Sequence, residues 1–258
     1  MTGSEETPSF RLAYVPGVTP TKWVRIWNER LPGIPLTLVP APAAEAYDVL
    51  RDGGADAGFV RLPADRTYFS AIPLYTETTV VVVPKDHLFT AADEITVEEL
   101  ADEIVLHPLD DTLGWERPPG QPAFERPATT ADAIELVAAG IGLLVVPQSL
   151  ARLYHRKDLK YRTLTDAPQS QVALAWPEER TTDQVEDFIG IVRGRTVNST
   201  RGRARPEATE RPKSRQSGKG GARQKAVGGK PAGKSPRGPR SGSATSKSAK
   251  GRKPRRRS

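Results

Sequence analysis

The sequence predicts an α/β fold over residues 9–197, with helices packed on the faces of parallel-rich sheets. In the first sixty residues, short apolar runs alternate with helical spacing in the order β-α-β-α-β, which is typical of a parallel sheet with helices on its faces. A similar alternation of strand-like and helix-like segments returns between residues 79 and 195. After residue 197 the apolar pattern stops, so the folded domain is expected to end there.

The first unit begins with a strand at Phe10–Val15, which Pro16 and Gly17 break. The helix predicted over Pro20–Arg30 carries Trp23 and Trp27 four residues apart on its apolar face. Tryptophans at that spacing indicate core or interface packing, with a stacking platform for a ligand as the alternative. The unit is completed by predicted elements at Leu36–Val39, Ala43–Leu50 and Ala57–Val60.

The second half contains a run of β-branched residues, Thr79–Pro84, that predicts a strand buried on both faces. Thr96 and Glu99 form the pattern of a capping box, which predicts a short helix reaching Ala101. Residues 107–127 are rich in proline and lack periodicity, so we expect a loop there. Other predicted strands are Ile72–Thr76, Ile104–Leu106, Gly142–Val146, Leu159–Leu164 and Val172–Trp176, and other predicted helices are Thr130–Ala139, Gln148–Leu153 and Thr182–Arg195.

Charge divides the chain into two parts. Residues 200–258 contain 20 Lys and Arg against two acids, a net charge of +18, whereas the rest contains 18 basic and 29 acidic residues, a net charge of −11. The basic segment consists almost entirely of small, polar and charged residues and has no aromatic residue. Such a composition does not bury enough apolar area to offset chain entropy, so residues 198–258 are predicted to be a disordered tail.

Several function classes are disfavoured by the sequence. The chain has no cysteine, so disulfides and thiolate metal or redox sites are excluded. His87, His107 and His155 are scattered without metal-ligand spacing, and no phosphate-binding loop or nucleophile elbow occurs. We therefore expect no metal, no cofactor and no enzymatic activity. The N-terminus lacks the pattern of a signal peptide and the apolar runs are short, which predicts a cytoplasmic protein without membrane contact.

Four stretches, taken in order, resemble the effector-binding domain of LysR-type transcriptional regulators. They cover about 190 residues and are Phe10–Tyr14, Leu50–Phe59 with its Gly-Gly turn, the strand pair from Pro73 to Leu88, and the Gly-containing segment Val137–Pro147. The resemblance implies a two-lobed fold of the type 2 periplasmic-binding-protein kind. It implies lobe one at about residues 9–84 plus 165–197 and lobe two at about 85–164, with a small ligand, often a carboxylate, between them.

Two departures from the family pattern are visible. The family normally begins with a winged helix-turn-helix and a linker helix, but the first sensing strand here starts at Phe10, so we expect neither in this chain. The segment 107–127 is also richer in proline than the family's corresponding region, which often forms a helix against the pocket. The wall of the pocket on lobe two is therefore the least defined part of the expected site.

Candidate ligand-binding residues follow from the resemblance, carried over position by position. They lie after predicted strands or at helix starts, where backbone N–H groups favour anions, and they are Val18, Thr19, Thr21, Arg61, Leu62, Leu106, His107, Thr129 and Thr130. Each threonine has plain helix capping as its alternative role, and Arg61 has simple solvent exposure. The acidic turn after His107 is expected to bond its own backbone rather than to act as an acid–base pair.

The tail favours contact with nucleic acid. Lys and Arg interspersed with Pro, Gly and Ser suit sequence-independent binding to phosphates, and the densest patch is Arg252, Lys253, Arg255, Arg256 and Arg257. The alternatives are a solubilising tail and a tail that folds back on the acidic body.

Together these features predict a non-enzymatic effector-binding protein related to LysR regulators. It would act in transcription on a small organic anion, with a homodimer or a helix-turn-helix protein as protein partner. A solute-binding protein without a DNA role and a dehydratase-like enzyme on the same fold are the rival functions.

Overall fold

The structure is a computed structural model, which describes residues 9–195. The predicted disordered tail, 198–258, and its five candidate phosphate contacts lie outside the described residues. The strands are β1 Phe10–Tyr14, β2 Leu36–Pro40, β3 Ala57–Arg61, β4 Phe69–Thr76, β5 Thr79–Pro84, β6 Glu94–Thr96, β7 Ile104–Leu106, β8 Gln121–Pro122, β9 Leu143–Pro147, β10 Leu159–Thr165 and β11 Gln171–Pro177. The helices are α1 Thr21–Arg30, α2 Ala46–Arg51, α3 Thr130–Ala138, α4 Gln148–Leu153 and α5 Asp183–Val192.

Lobe one is built on a five-stranded sheet in the order β2-β1-β3-β11-β4. β1, β2 and β3 run parallel, as the β-α-β-α-β pattern predicts, and β11 pairs antiparallel with both β3 and β4. Its core is rich in aromatic residues: the Phe10 ring stacks on Trp27 at 4.6 Å and meets Phe188 of α5 at 5.2 Å. Trp27 is fully buried and its indole N–H donates to the Ile34 carbonyl at 2.9 Å, which supports the core interpretation of this residue.

Lobe two is built on a six-stranded mixed sheet in the order β6-β10-β5-β9-β7-β8. β5 lies inside it, antiparallel to both β9 and β10. Val80 and Val82 of β5 face one hydrophobic cluster with α3 and α4, and Val81 and Val83 face a second cluster on the opposite side. The β-branched run is therefore buried on both faces, as its composition predicts.

The chain crosses between the lobes twice. The first crossing is the short link between β4 and β5, and the second joins β10 to β11. The two links run beside each other, since the Glu77 backbone N–H donates to the Ser170 carbonyl at 2.7 Å. Residues 79–84 were predicted to belong to lobe one, but β5 pairs only within the second sheet. An apolar run shows that a strand is buried without showing which sheet it joins.

Several element boundaries differ from the expectation for local reasons. Neither Thr19 nor Thr21 caps α1, whose N-cap position is Pro20 without a side-chain bond. The capping box at Thr96 and Glu99 forms, with Glu99 accepting from the Thr96 backbone N–H at 2.7 Å, but it opens a single 3₁₀ turn. The segment 107–127 is a loop apart from the short strand β8. Within residues 9–195, none of the helices combines the length and the hydropathy that a membrane span requires.

Candidate functional site

A cleft of about 940 Å³ lies between the lobes. Lobe one contributes the loop after β1, the loop after β2 and Arg61 at the end of β3, while lobe two contributes the start of α3, the loop before it and most of α4. The volume is within the range of pockets that hold small organic molecules. Because both lobes line it, a ligand bound there would contact residues on either side of the crossing links.

The floor of the cleft is a buried ion pair. Arg61 is 7% exposed, and its Nε donates to Glu77 Oε2 at 2.9 Å. Glu77, in the first crossing link, is 5% exposed. The Arg61 Nη2 also donates to the Pro16 carbonyl at 3.0 Å, which ties the loop after β1 to the same guanidinium. The alternative of a solvent-exposed Arg61 is therefore wrong.

Two serine hydroxyls complete this cluster, and together Arg61, Glu77, Ser149 and Ser170 are called the floor cluster below. Ser170, in the second crossing link, donates to Glu77 Oε2 at 2.6 Å. Ser149, at the start of α4 in lobe two, donates to Glu77 Oε1 and accepts from Arg61 Nη2 at 3.3 Å. The cluster thus joins both lobes and both crossings through one carboxylate.

The surroundings of Glu77 keep it ionised. Burial would raise the pKa of this carboxyl, but the hydrogen bonds and charge of Arg61, with the hydroxyls of Ser149 and Ser170, outweigh burial and hold the pKa below its ordinary value. The floor therefore has no net charge at neutral pH, since the Glu77 carboxylate cancels the Arg61 guanidinium. An anion in the cleft does not meet a free positive charge here.

Gly17 is the point where the loop after β1 touches the floor cluster. It has φ +86°, and a Cβ added there would lie 2.6 Å from Ser149 Oγ and 3.3 Å from Arg61 Nη2. Glycine provides both the backbone conformation and the space. The loop after β1 therefore lies directly against the start of α4 in the other lobe, at a position where a side chain would not fit.

Two buried polar atoms on the cleft walls have no hydrogen-bond partner among the described residues. They are Nη1 of Arg61 on lobe one and Oγ1 of Thr112 on lobe two. Buried polar atoms are nearly always satisfied in folded proteins, and leaving one unpaired costs about 1–3 kcal/mol. The two residues line the same cleft, one from each lobe.

The corner of the cleft at α3 is acidic. Thr129 and Asp132 form a reciprocal capping box, in which Thr129 Oγ1 accepts from the Asp132 backbone N–H at 3.1 Å. The hydroxyl of Thr130, the first residue of α3, donates to Asp110 Oδ1 at 2.8 Å. Two carboxylates therefore already lie at this helix N-terminus, where the helix dipole favours negative charge.

Another part of the cleft lining has a different character. The loop after β2 contributes Pro40 to Ala44, a stretch without any hydrogen-bonding side chain. Facing the same cavity from lobe two is the end of α4, where Arg152 makes one long contact from its Nε to the Tyr161 hydroxyl, at 3.4 Å, and no ion pair among the described residues. The cleft lining thus includes an apolar stretch and an exposed guanidinium.

The structure brings together some of the predicted site residues and separates the others. Val18, Thr19, Arg61, Thr129 and Thr130 all line the cleft. The remaining candidates do not line it: Thr21 is exposed on α1, Leu62 follows β3 with a cis bond to Pro63, Leu106 is in the core of lobe two, and His107 contacts Asp111 at 3.4 Å. The predicted role of the first five as ligand contacts stays a prediction.

Sequence reasoning missed the residues that complete the site. Glu77 and Ser170 lie in the crossing links, and Ser149 opens α4, so their sequence separations from Arg61 are 16, 109 and 88 residues. The one usable indication was Glu77 itself, an acid inside a long apolar region. Asp110 was interpreted as part of a backbone turn; in the structure its neighbour Asp111 accepts from the Leu113 N–H, while Asp110 faces the cleft.

The histidines do not contribute to the site, since none of the three lines the cleft. Across residues 9–195, no group of three His, Asp or Glu side chains is placed to hold a metal ion.

Residues 3–196 match the protein family described as LysR substrate binding domain. The chain belongs to this family. It has the family's two-lobed, periplasmic-binding-protein-like α/β fold, which the order of the four sequence stretches predicts. The match extends through both crossing links and α5, so it includes every residue of the floor cluster.

Two similar proteins are named as regulators of transcription. A probable hydrogen peroxide-inducible genes activator of Mycobacterium avium is 33% identical over 144 residues, which are 52% of this chain and 46% of that protein. The HTH-type transcriptional regulator AlsR of Bacillus subtilis is 25% identical over 179 residues, 65% of this chain and 59% of that protein. The chain therefore spans about half the length of the first of these relatives.

Solved structures show the same fold. The reduced form of the OxyR regulatory domain from Pseudomonas aeruginosa has a TM-score of 0.55 and 22% identity, with 72% of this chain and 98% of that chain covered. The BenM effector binding domain with its effector benzoate has a TM-score of 0.60 and 19% identity, with 72% and 91% covered. At this identity the likeness concerns the fold.

Proposed function

We propose that this protein is a non-enzymatic sensor in transcription regulation, which binds a small organic molecule carrying an acidic group in the cleft between its lobes. The observation that carries the proposal is the interlobe cleft of about 940 Å³, whose lining includes Arg61 from lobe one and Thr112 from lobe two, each with a buried polar atom that has no hydrogen-bond partner among the described residues. The regulator family and the benzoate of the BenM domain support a small-molecule effector. Such a protein acts in the cytoplasm, where transcription takes place in bacteria.

The rival enzymatic function has less support from the cleft. Its charged lining side chains are Arg61, Asp110 and Arg152. Arg61 is fully used in the floor cluster apart from Nη1, and Asp110 accepts from Thr130. A hydrolytic or dehydrating site needs a convergent acid and base close to one reacting atom, which this set does not offer among the described residues.

Ligand stabilisation tests the proposal directly. A collection of small carboxylates and other polar metabolites is screened by thermal unfolding of the full chain, since a ligand at one hundred times its Kd adds about 2.7 kcal/mol of stability. Hits are then measured on Ala44→Trp, which fills the mouth of the cleft at an exposed lining position, and on Ala139→Trp, an exposed control outside it. We expect Ala44→Trp to abolish the stabilisation and Ala139→Trp to keep it.

The predicted contacts are tested on the same hits. The double variant Thr19→Ala with Thr130→Ala removes two lining hydroxyls from opposite lobes. An unchanged affinity of this variant would rule out the threonines as ligand contacts. Equal stabilisation of the two tryptophan variants would rule out the cleft as the binding site.

We further propose that the basic tail contacts nucleic acid without sequence preference. Its +18 charge stands against −11 for the rest of the chain, so phosphate binding through counterion release belongs to the tail. If eight basic residues engage at once, the slope of log affinity against log salt is about −7. Equal affinity for unrelated duplexes with and without residues 198–258 would remove this role and leave the tail as a solubilising segment.

In this proposal, sequence-specific DNA contact is made by an element beyond the described residues. Residues 9–195 form the two lobes and contain no helix-turn-helix unit. We propose that a helix-turn-helix partner protein provides this contact, and that the chain itself pairs with a second copy. Affinity purification from the source cells followed by mass measurement of the complex checks this, and a protein that purifies alone as a monomer would contradict it.

A further inference from the structure

We propose that the effector is a zwitterion with an apolar body, of which amino acids with apolar side chains are the simplest members. This inference rests on the proposed function and specifies its ligand. It follows from the distribution of charge over the cleft lining. Among the described residues, the charged side chains of this lining are Arg61, Asp110 and Arg152. Each of the three has a different relation to its surroundings.

The positive charge at the floor is not available to an anion. Arg61 is cancelled by Glu77, which is kept ionised by the floor cluster. What the floor offers instead is Nη1, a buried donor without a partner, and across the cleft the buried hydroxyl of Thr112. A ligand group that accepts a hydrogen bond satisfies Nη1, while the net charge of the floor remains zero.

The corner at α3 opposes a plain anion. A carboxylate approaching the N-terminus of α3 would meet the carboxylates of Asp110 and Asp132, which are already hydrogen-bonded to Thr130 and Thr129. Asp110 makes no ion pair among the described residues, and no partner is recorded for its Oδ2. Oδ1 of Asp110 accepts from Thr130, and its Oδ2 remains available as an acceptor. Such a carboxylate favours an ammonium group that donates to it.

Other residues of the lining supply the complementary features. Arg152 at the end of α4 has no carboxylate partner among the described residues, and a guanidinium with a free fork favours a carboxylate. Pro40 to Ala44 contribute apolar surface to the same lining, together with Tyr14, Leu150 and Leu153. The cleft therefore presents an acceptor for an ammonium group, a donor for a carboxylate and an apolar surface, which together match an amino acid with an apolar side chain.

A matched set of compounds tests this. The full chain is titrated calorimetrically, and screened by thermal unfolding, with the twenty protein amino acids, with their deaminated acids and with their decarboxylated amines. For leucine the pair is 4-methylpentanoate and 3-methylbutylamine, and for phenylalanine it is 3-phenylpropanoate and 2-phenylethylamine. We expect at least one amino acid with an apolar side chain to bind, and both of its half-molecules to bind at least about tenfold more weakly, because each loses one charge-assisted contact.

Two variants assign the contacts. Asp110→Asn should weaken the amino acid about tenfold or more and leave the corresponding acid unchanged or tighter, because only the ammonium contact is lost. Arg152→Gln should weaken both compounds, because both carry the carboxylate. Glu125→Gln is the control, since this exposed carboxylate is in the same loop as Asp110 but outside the cleft lining.

The outcomes separate this inference from the proposed function. If acids without an ammonium group bind as tightly as the amino acids, or if Asp110→Asn leaves amino-acid affinity unchanged, the zwitterion is wrong while the cleft remains an effector site for anions. If no compound in the three sets binds, and the wider collection described above gives no ligand either, both are overturned. Binding of the amines alone would also overturn the zwitterion, because it would leave Arg152 without a role.

Discussion

The floor of the cleft and its rim both carry charged side chains, but they use them in opposite ways. At the floor, Arg61 and Glu77 are buried and bonded to each other, to two serines and to a backbone carbonyl. At the rim, Asp110 and Arg152 are exposed and have no ion-pair partners among the described residues. Charges that are buried must be paired, so the floor pair links the lobes, while the two rim charges stay exposed to solvent.

The largest effect is expected from breaking the floor pair. Arg61→Ala leaves Glu77 buried without its guanidinium, and removal of one partner of a buried pair costs about 3–5 kcal/mol. The comparison is Arg25→Ala on α1, where the lost ion pair with Glu29 is exposed and its contribution is about 0.3–0.5 kcal/mol. Chemical denaturation of both variants measures the difference. Similar losses for the two would mean that Arg61 does not hold the lobes.

The contribution of the Arg61–Glu77 pair to stability should decrease at acidic pH, as Glu77 becomes protonated. Burial would raise the pKa of this carboxyl in the folded protein, but Arg61 and the two serines hold that pKa below the ordinary value. Its stabilising contribution is therefore complete above the pKa of the unfolded chain and is lost as pH falls through the lower folded value. Glu77→Gln should be much less stable than the parent at pH 6, and the gap should narrow as the pH approaches 3.

The control for the acid series is Glu29→Gln, because Glu29 belongs to an exposed pair. Its gap to the parent is expected to stay within about 0.5 kcal/mol from pH 6 to pH 3. A gap for Glu77→Gln that stays constant over this range would contradict the linkage of the floor to this carboxylate.

These predictions also show where the sequence was informative. Most strands and helices of both lobes followed from local apolar periodicity, although the short strands β6 and β8 were not predicted. β5 was predicted to be buried on both faces from its β-branched run alone. Its membership of the second sheet was not predictable, because sheet membership depends on pairing with β9 and β10, which lie more than fifty residues further along the chain. The local sequence pattern predicts a strand or helix, whereas long-range strand pairing determines which sheet a strand joins.

The site shows the same division. The loop after β1 and the start of α3 were expected in the cleft from the resemblance to the LysR effector-binding domain, and Thr19 and Thr130 do line it. The floor cluster was missed because its members are brought together only by the two crossings. Arg61 was predicted to bind the ligand, with solvent exposure as the alternative, since nothing near it in the sequence reveals a partner 16 residues away in a buried link.

A smaller loss is expected where the loop after β1 meets the floor. Gly17→Ala places a Cβ 2.6 Å from Ser149 Oγ at a backbone φ of +86°. Crowding and backbone strain together should cost about 1–3 kcal/mol and shift the floor hydroxyl. Gly33→Ala is the matched control, because its added Cβ meets nothing within 4 Å and its φ is not positive. Equal stability of the two variants would show that the loop does not press on the floor.

The smallest effect on stability is expected at the rim, from Asp110→Asn. The carboxylate is exposed and its recorded contact is the hydroxyl of Thr130, to which an amide oxygen of the same shape can also bond. Exposed substitutions of this kind change stability by about 0.5 kcal/mol or less, in contrast to Glu77→Gln at the floor. Thermal and chemical unfolding of the two isosteric variants, measured side by side, tests the division between floor and rim. A loss for Asp110→Asn as large as that for Glu77→Gln would show that the rim charge is structural, and any change in ligand affinity in that variant would then have to be attributed to the fold.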